Sequence, residues 1–181
     1  MKRCAWADAH PLLREYHDDE WGNVVHDDKI HFEYILLEVM QGGLSWLTIL
    51  KKREALKEAF DQFDYIKIAN YSESDIDRLL KNEKIIRSRR KIEGIIKNAN
   101  AFVKIQQEFG SFDKYIWGFV GDKTIRYAEH VNGFPAKNAL SDKISKDLKA
   151  YGFTYLGSIT VYSHLQAAGL INDHASYCYK Y

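Results

Sequence analysis

The chain has 181 residues, of which 46% are hydrophobic and 28% charged, and its formal net charge is +1. This composition predicts a globular rather than a disordered protein, folded as one domain or two closely packed lobes. The small net charge gives no overall electrostatic argument for a nucleic-acid partner, so such a partner would require a local basic patch. No apolar run is long enough to span a membrane and the first residues lack an apolar signal core, so we expect a cytoplasmic protein with no membrane contact.

Apolar residues recur at helical spacing through most of the chain, which predicts an all-α architecture. In chain order, we predict helices over about 12–16, 28–40, 47–60, 72–80, 92–103, 112–119, 141–150 and 158–168. A loop-rich stretch from Gly121 to Asn138 precedes the last two. No internal repeat or low-complexity linker divides the chain.

The stretch from Glu38 to Trp46 concentrates the residues that suggest chemistry. Glu38 lies close to the end of an apolar helix, and Gly42 and Gly43 then break that helix and permit close approach of a ligand. Leu44 beyond the break can act as a wedge, and Trp46 adds a large aromatic face. A carboxylate and an indole around a glycine gap suit a flat, nitrogen-rich, cationic ligand. By helical position alone, however, Glu38 is typical of a solvent-facing residue on the flank of an apolar stripe.

Four cations, Arg87, Arg89, Arg90 and Lys91, crowd the first turn of a strongly periodic helix. The helix dipole makes this end partly positive, so each cation is unfavourable there by roughly 0.3–1 kcal/mol. Free backbone N–H groups beside cations can bind an anion, and the connection 82–88 between two helices would then grip DNA phosphates. An ordinary solvated basic turn is an equally supported alternative.

His174 and Cys178 have the i, i+4 spacing that can direct two ligands to one metal ion, although a chance pair has the same spacing. With Cys4 and His17 they would complete a Cys2His2 set with no open position, which is typical of a structural metal. The acidic run 18–20 is better interpreted as a solvated turn than as a metal site. The histidines interpreted as surface or core residues are His10, His26, His31, His130 and His164.

Four stretches, Tyr16–Gly22, Gln41–Trp46, Ile85–Arg89 and Gly169–His174, occur together in this order. With them the chain resembles the bacterial 3-methyladenine DNA glycosylases of type I along nearly its whole length. The resemblance implies a helix-hairpin-helix glycosylase fold, with the hairpin at about 82–90 and a zinc clip joining the N- and C-terminal segments. We predict a single unit over 1–181, with a hairpin lobe at about 45–120 and a terminal lobe formed by 1–44 and 121–181.

The resemblance also implies the functional residues. The structural zinc ligands would be Cys4, His17, His174 and Cys178. The base-binding residues would be Trp6, Tyr16, Glu38 and Trp46, with Glu38 as the catalytic carboxylate, acting mainly by recognising the base. The DNA-binding residues would be Gly43, Leu44, Ile86, Arg87, Arg89, Arg90 and Lys91, of which Gly43 and Leu44 would fill the gap left in the duplex.

The implied activity flips 3-methyladenine out of alkylated double-stranded DNA and hydrolyses the N-glycosidic bond, which releases the free base and leaves an abasic site. No candidate lysine nucleophile is found in the pocket stretch, so we expect no strand cleavage. Asp113 is interpreted as a helix-start acid rather than a water-activating base. Leu13 and Met40 depart from the family pattern, and Leu13 removes a possible hydrogen bond to the base.

We expect a monomer. Two other functions fit the residues. One is a non-catalytic, zinc-stapled helical module that binds damaged nucleic acid. The other is a small-molecule enzyme or binding protein that uses the aromatic pocket.

Overall fold

The computed structural model describes residues 1–181, apart from the side chains at positions 131 and 132. The α-helices are α1 (Pro11–Asp19), α2 (Asp28–Gln41), α3 (Trp46–Ala59), α4 (Tyr65–Ala69), α5 (Glu73–Lys81), α6 (Arg89–Phe109), α7 (Phe112–Gly118), α8 (Ala139–Tyr151) and α9 (Ser158–Ala167). Short 3-10 helices cover Ala5–Ala9, Asp61–Phe63 and Ala128–Asn132. Within the described residues, the only β-type pairing is an isolated bridge between Ile125 and Ile171, so the all-α prediction is confirmed.

Each predicted helix is present, and its ends differ from the prediction by a few residues. The largest difference is α6, which begins at Arg89 and continues to Phe109, because the polar residues beyond 103 obscured the apolar spacing. The sequence prediction omitted α4 and the 3-10 helices. These elements have five residues or fewer, which is too short for a helical period to be recognised.

Helix α2 is the centre of the fold and packs against α3, α6, α7 and α9. Its nine consecutive residues 32–40 are apolar or uncharged apart from Glu33 and Glu38, and all but Glu33 are buried. A helix that is apolar on almost every side is buried in the core. The end of α2 therefore brings Glu38 into the interior of the protein.

Helix α2 ends in a tight turn formed by the glycine pair. The Leu44 amide donates to the Gln41 carbonyl at 2.6 Å, and Gly43 adopts a φ of +83°, which glycine reaches without strain. Ser45 then caps α3 by accepting from the Thr48 amide at 3.2 Å. This turn places Glu38 and Trp46 on adjoining helix ends.

The two ends of the chain meet. The Tyr179 amide donates to the Lys2 carbonyl at 3.0 Å, and the Lys180 ammonium donates to the carbonyls of His17, Asp18 and Trp21. The buried apolar side chains form one cluster that draws on both predicted lobes, and the division into those lobes stays a prediction. None of the described helices combines the length and the apolar character needed to cross a lipid bilayer.

Candidate active site and metal centre

A cavity of about 390 Å³ opens where α2 ends and α3 begins. This volume lies within the range of small-molecule sites, about 300–1,000 Å³. The structure brings Trp6, Tyr16, Glu38 and Trp46 together around this one cavity, as the sequence analysis expected. The remaining lining residues are Leu13, Trp21, Gln41, Ser45, Leu47, Phe134, Ser163 and Gln166.

Aromatic rings form most of the cavity wall. Tyr16 and Trp46 lie with ring centroids 5.2 Å apart, and Trp6 meets Trp21 edge to face at 5.1 Å. Tyr16 is buried, and this burial is the main cause that raises the pKa of its hydroxyl. The wall therefore presents neutral, electron-rich surfaces, which attract a flat cation.

Glu38 is 7% exposed and lies in the cavity wall, beside the glycine break that suggested a ligand site. Helical position alone, which is typical of a solvent-facing residue, did not indicate this burial. Burial alone raises the pKa of its carboxyl to about 8, because ionisation in a low-dielectric cavity loses the hydration of the charge. Among the described residues, no cation or hydrogen-bond donor offsets this cost. The Trp46 Nε1–H is also buried, and it has no hydrogen-bond acceptor among the described residues. Two polar groups of one cavity thus lack the partners that buried polar groups normally have.

A cluster of two cysteines and two histidines lies beside the cavity wall. One ligand atom from each of Cys4, His17, His174 and Cys178 lies within 4.8 Å of every other, and all four residues are buried. Each of the S···N contacts recorded between the cysteines and histidines is 3.4 or 3.6 Å long. Tetrahedral ligands at zinc–sulfur and zinc–nitrogen bonds of about 2.3 and 2.0 Å would be separated by roughly 3.5 Å. The four residues therefore fit a tetrahedral metal ion.

The outer nitrogens of both histidines are fixed by hydrogen bonds. His17 Nδ1 lies 2.8 Å from the Asp18 carboxylate, and His174 Nε2 lies 3.2 Å from the Trp21 carbonyl. Such partners set the tautomer that leaves the other nitrogen free for a metal. Asp18 also pairs with Arg3 at 2.8 Å, and Glu20 pairs with Arg53, so the interpretation of 18–20 as a solvated turn is wrong for these two acids.

The metal-ligand cluster supports the cavity wall directly. The Trp6 ring lies 5.3 Å from the His17 ring, and the Trp21 ring lies 4.6 Å from the His174 ring. Gly22 completes this packing, because a Cβ there would lie 2.6 Å from His174 Nε2 and its φ of +80° also favours glycine. Distortion of the cluster would therefore move two aromatic walls of the cavity.

The basic connection between α5 and α6 has several local partners. Arg89 is held by the carboxylates of Glu73, Asp77 and Glu93, and Arg87 lies near Glu83. These acids offset the unfavourable charges at the start of α6. Arg90 is exposed and forms no ion pair with any described residue, and Ile86 packs against the core.

Lys91 connects this region to the glycine turn. Its ammonium donates to the carbonyls of Met40 and Gly42 at 2.8 and 2.6 Å. These carbonyls stand at the C-terminal end of α2, where a cation is favourable. Beyond the turn, Leu44 is 41% exposed. The DNA contacts predicted for these residues stay predictions.

The model of the methyladenine glycosylase family matches residues 6–181. The chain belongs to the methyladenine glycosylase family. It is 43% identical over 182 residues to DNA-3-methyladenine glycosylase 1 of Escherichia coli, which covers 100% of this chain and 97% of the relative. The DNA-3-methyladenine glycosylase of Haemophilus influenzae is 42% identical over 177 residues, with coverages of 97% and 96%. The chain is accordingly a glycosylase, a hydrolase of N-glycosyl bonds.

A solved structure of 3-methyladenine DNA glycosylase I from Staphylococcus aureus, described as the structural basis of 3-methyladenine recognition, has a TM-score of 0.92 with this chain. The two are 40% identical, and the match covers 99% of this chain and 96% of that one. The fold of this family member is therefore the fold of that enzyme.

Sequence reasoning missed several lining residues of this family member. Trp21 lies in the stretch Tyr16–Gly22 that carries the family resemblance, and this position could have identified it as a site residue. Phe134, Ser163 and Gln166 come from distant segments that carry no local pattern. Asp113 lies in the first turn of α7, as expected, and additionally pairs with His26 at 2.9 Å. Asp113 is not among the residues that line the cavity.

Proposed function

We propose that this enzyme removes 3-methyladenine from alkylated double-stranded DNA. The observation that carries the proposal is the buried Glu38 carboxyl, which shares an aromatic cavity with Trp46 and has no protein cation beside it. Methylation at N3 gives the adenine of a nucleotide a positive charge. Such a base would supply the positive charge that the Glu38 carboxylate lacks in the empty cavity, and its flat ring would stack on the aromatic wall.

The energies favour a cationic base over an ordinary one. With a pKa of about 8, ionising Glu38 in the empty cavity at pH 7 costs about 1.4 kcal/mol. A unit positive charge about 4 Å away would return roughly 4 kcal/mol at an effective dielectric constant of about 20. A neutral adenine offers no such compensation. The carboxylate is therefore ionised when a cationic base is present and largely protonated otherwise, which makes charge the basis of selection.

Access to the base requires its extrusion from the duplex, which costs a few kcal/mol. Stacking on Trp46 and Tyr16 would return about 1–3 kcal/mol. The exposed Leu44 on its glycine turn is positioned beside the cavity to occupy the vacated stack. Lys91 would hold that turn against the α5–α6 connection, which we propose is the helix-hairpin-helix element that grips the backbone through Arg90.

Hydrolysis adds water across the bond between C1′ and the base. As this bond breaks, its electron pair passes to the base and neutralises the positive charge, so the base departs as a good leaving group. Glu38 is the only carboxylate among the described lining residues, and the same lining contains no lysine. We infer that base release needs no separate water-activating base and that no covalent intermediate leads to strand cleavage.

We further propose that Cys4, His17, His174 and Cys178 hold a structural zinc ion. Burial raises the pKa of the Cys4 thiol to about 11, so a bound cation would be needed to keep thiolates at neutral pH. When bound, zinc would supply a cross-link between the first and last residues of the chain, with no open coordination position for catalysis. We also propose that the enzyme acts as a monomer.

The test is chromatographic identification of bases released from methylated duplex DNA. We expect the wild type to release 3-methyladenine and leave abasic sites, which become strand breaks only after alkali treatment. Glu38→Gln should lose base release, whereas Glu58→Gln, an exposed glutamate on α3, should retain it. Base release by Glu38→Gln at the wild-type rate would refute the role of the carboxylate, and breaks without alkali would refute the monofunctional assignment.

A further inference from the structure

A second cavity, of about 510 Å³, adjoins the first. Trp6 and Phe134 line both cavities and so form the partition between them. The other residues of the second cavity include His130, Gly133 and Tyr177. The size limit of the first cavity on this side is therefore set by two side chains.

Phe134 differs from the rest of the cavity wall. It is 42% exposed, whereas Trp21, whose ring lies 6.2 Å from it, is buried. It comes from the segment after the 3-10 helix Ala128–Asn132, not from a helix of the core. Phe134 therefore lines the first cavity from a connecting segment and keeps part of its ring exposed.

The segment that carries Phe134 is attached to the same polar network as the cavity wall. His130 Nδ1 donates to the Asp173 carboxylate at 2.7 Å. Asp173 is buried and also accepts from Tyr162 at 2.6 Å and from Gln166 at 2.8 Å, and Gln166 lines the first cavity. One buried carboxylate thus fixes a wall residue and the segment that bears Phe134 relative to each other.

We propose that Phe134 is a specificity-determining residue, which closes the base cavity against the second cavity and restricts the enzyme to adenines with a small substituent at N3. The inference rests on the proposed function, because it concerns the same base site. His130 is a positioning residue that keeps the phenyl group in the partition. Removal of the phenyl ring would join the two cavities and admit a bulkier substituent.

The experiment compares, by calorimetry, the binding of two cationic bases, 3,9-dimethyladeninium and 3-benzyl-9-methyladeninium, whose 9-methyl group fixes the positive charge that the base carries in DNA. The wild type should prefer the base with the 3-methyl group. Phe134→Ala should reduce this preference by about tenfold or more, because apolar pockets discriminate single groups by about 10–200-fold. Phe109→Ala is the matched control, since Phe109 is 40% exposed and lines neither cavity, and it should keep the wild-type preference.

A second pair of variants tests the positioning role. His130→Ala should shift the preference in the same direction as Phe134→Ala, and His130→Asn, whose amide nitrogen can take the place of Nδ1 and donate to Asp173, should restore it. A preference unchanged in Phe134→Ala, or both bases weakened by the same factor, would overturn this inference alone. A wild type that binds neither base would instead overturn the proposed function, and this inference with it.

Discussion

Replacement of Glu38 by glutamine should stabilise the empty enzyme while it removes function. In the folded protein burial raises the pKa of Glu38 from 4.5 to about 8. Between these values the folded protein holds a proton that the unfolded chain releases, so the free energy of unfolding of the wild type falls as pH rises through this window. Each pH unit corresponds to about 1.4 kcal/mol, which gives an upper bound of about 3 kcal/mol at pH 7 and, because the folded carboxyl is itself half ionised at its pKa, about 4 kcal/mol at pH 8. Glu38→Gln has no such proton to release.

The assay is urea denaturation of the wild type and Glu38→Gln at several pH values from 5 to 8, with Glu58→Gln as the control for an exposed carboxylate. The unfolding free energy of Glu38→Gln minus that of the wild type should increase steadily from pH 5 to pH 8. Burial of the glutamine amide adds only a constant offset, so the divergence is the informative quantity. Parallel pH profiles would refute the assignment of a raised pKa to a buried, unpaired Glu38.

Three other changes test separate parts of the site. Trp46→Ala should weaken binding of 3-methyladenine by about 1–3 kcal/mol, measured by calorimetry, because one stacking face is lost; unchanged affinity would remove Trp46 from the site. Arg90→Ala should reduce the slope of log affinity against log salt concentration for duplex DNA by about 0.9. Arg89→Ala should reduce this slope less, because the Arg89 guanidinium already pairs with three carboxylates. Equal slopes for both variants would contradict this distinction. Gly22→Ala should lower the zinc content found by metal analysis, because its Cβ would meet His174, and full zinc occupancy would disprove that packing argument.

The sequence allowed the helices to be predicted because each buries an apolar face at regular spacing. It also pointed to Glu38 and Trp46, since both flank a glycine pair whose local conformation is readable from the chain. Helical position alone could not supply the burial of Glu38, because a glutamate on the flank of an apolar stripe is typical of a solvent-facing residue. The packing of α1, α3 and α9 around the end of α2 encloses this side chain.

Contacts between residues far apart in the sequence were the other feature that could not be predicted. Lys91 was predicted to contact DNA from its place in a basic run, and this stays a prediction. The sequence did not indicate that its ammonium donates to carbonyls about fifty residues earlier in the chain. Phe134 and Gln166 join the cavity through segments with no periodic or motif signal. Contacts between residues far apart in sequence depend on how elements pack, and no local pattern encodes them.

The most direct test of the account is the pKa of the Glu38 carboxyl, followed by NMR in the free enzyme and with 3,9-dimethyladeninium, whose two methyl groups fix the positive charge that the base carries in DNA. We predict a pKa of about 8 in the free enzyme. The bound cation should lower it to below about 6, since roughly 4 kcal/mol of attraction favours the carboxylate. A pKa near 4.5 in the free enzyme, or one that the bound cation leaves unchanged, would contradict the central claim that this buried acid selects a charged base.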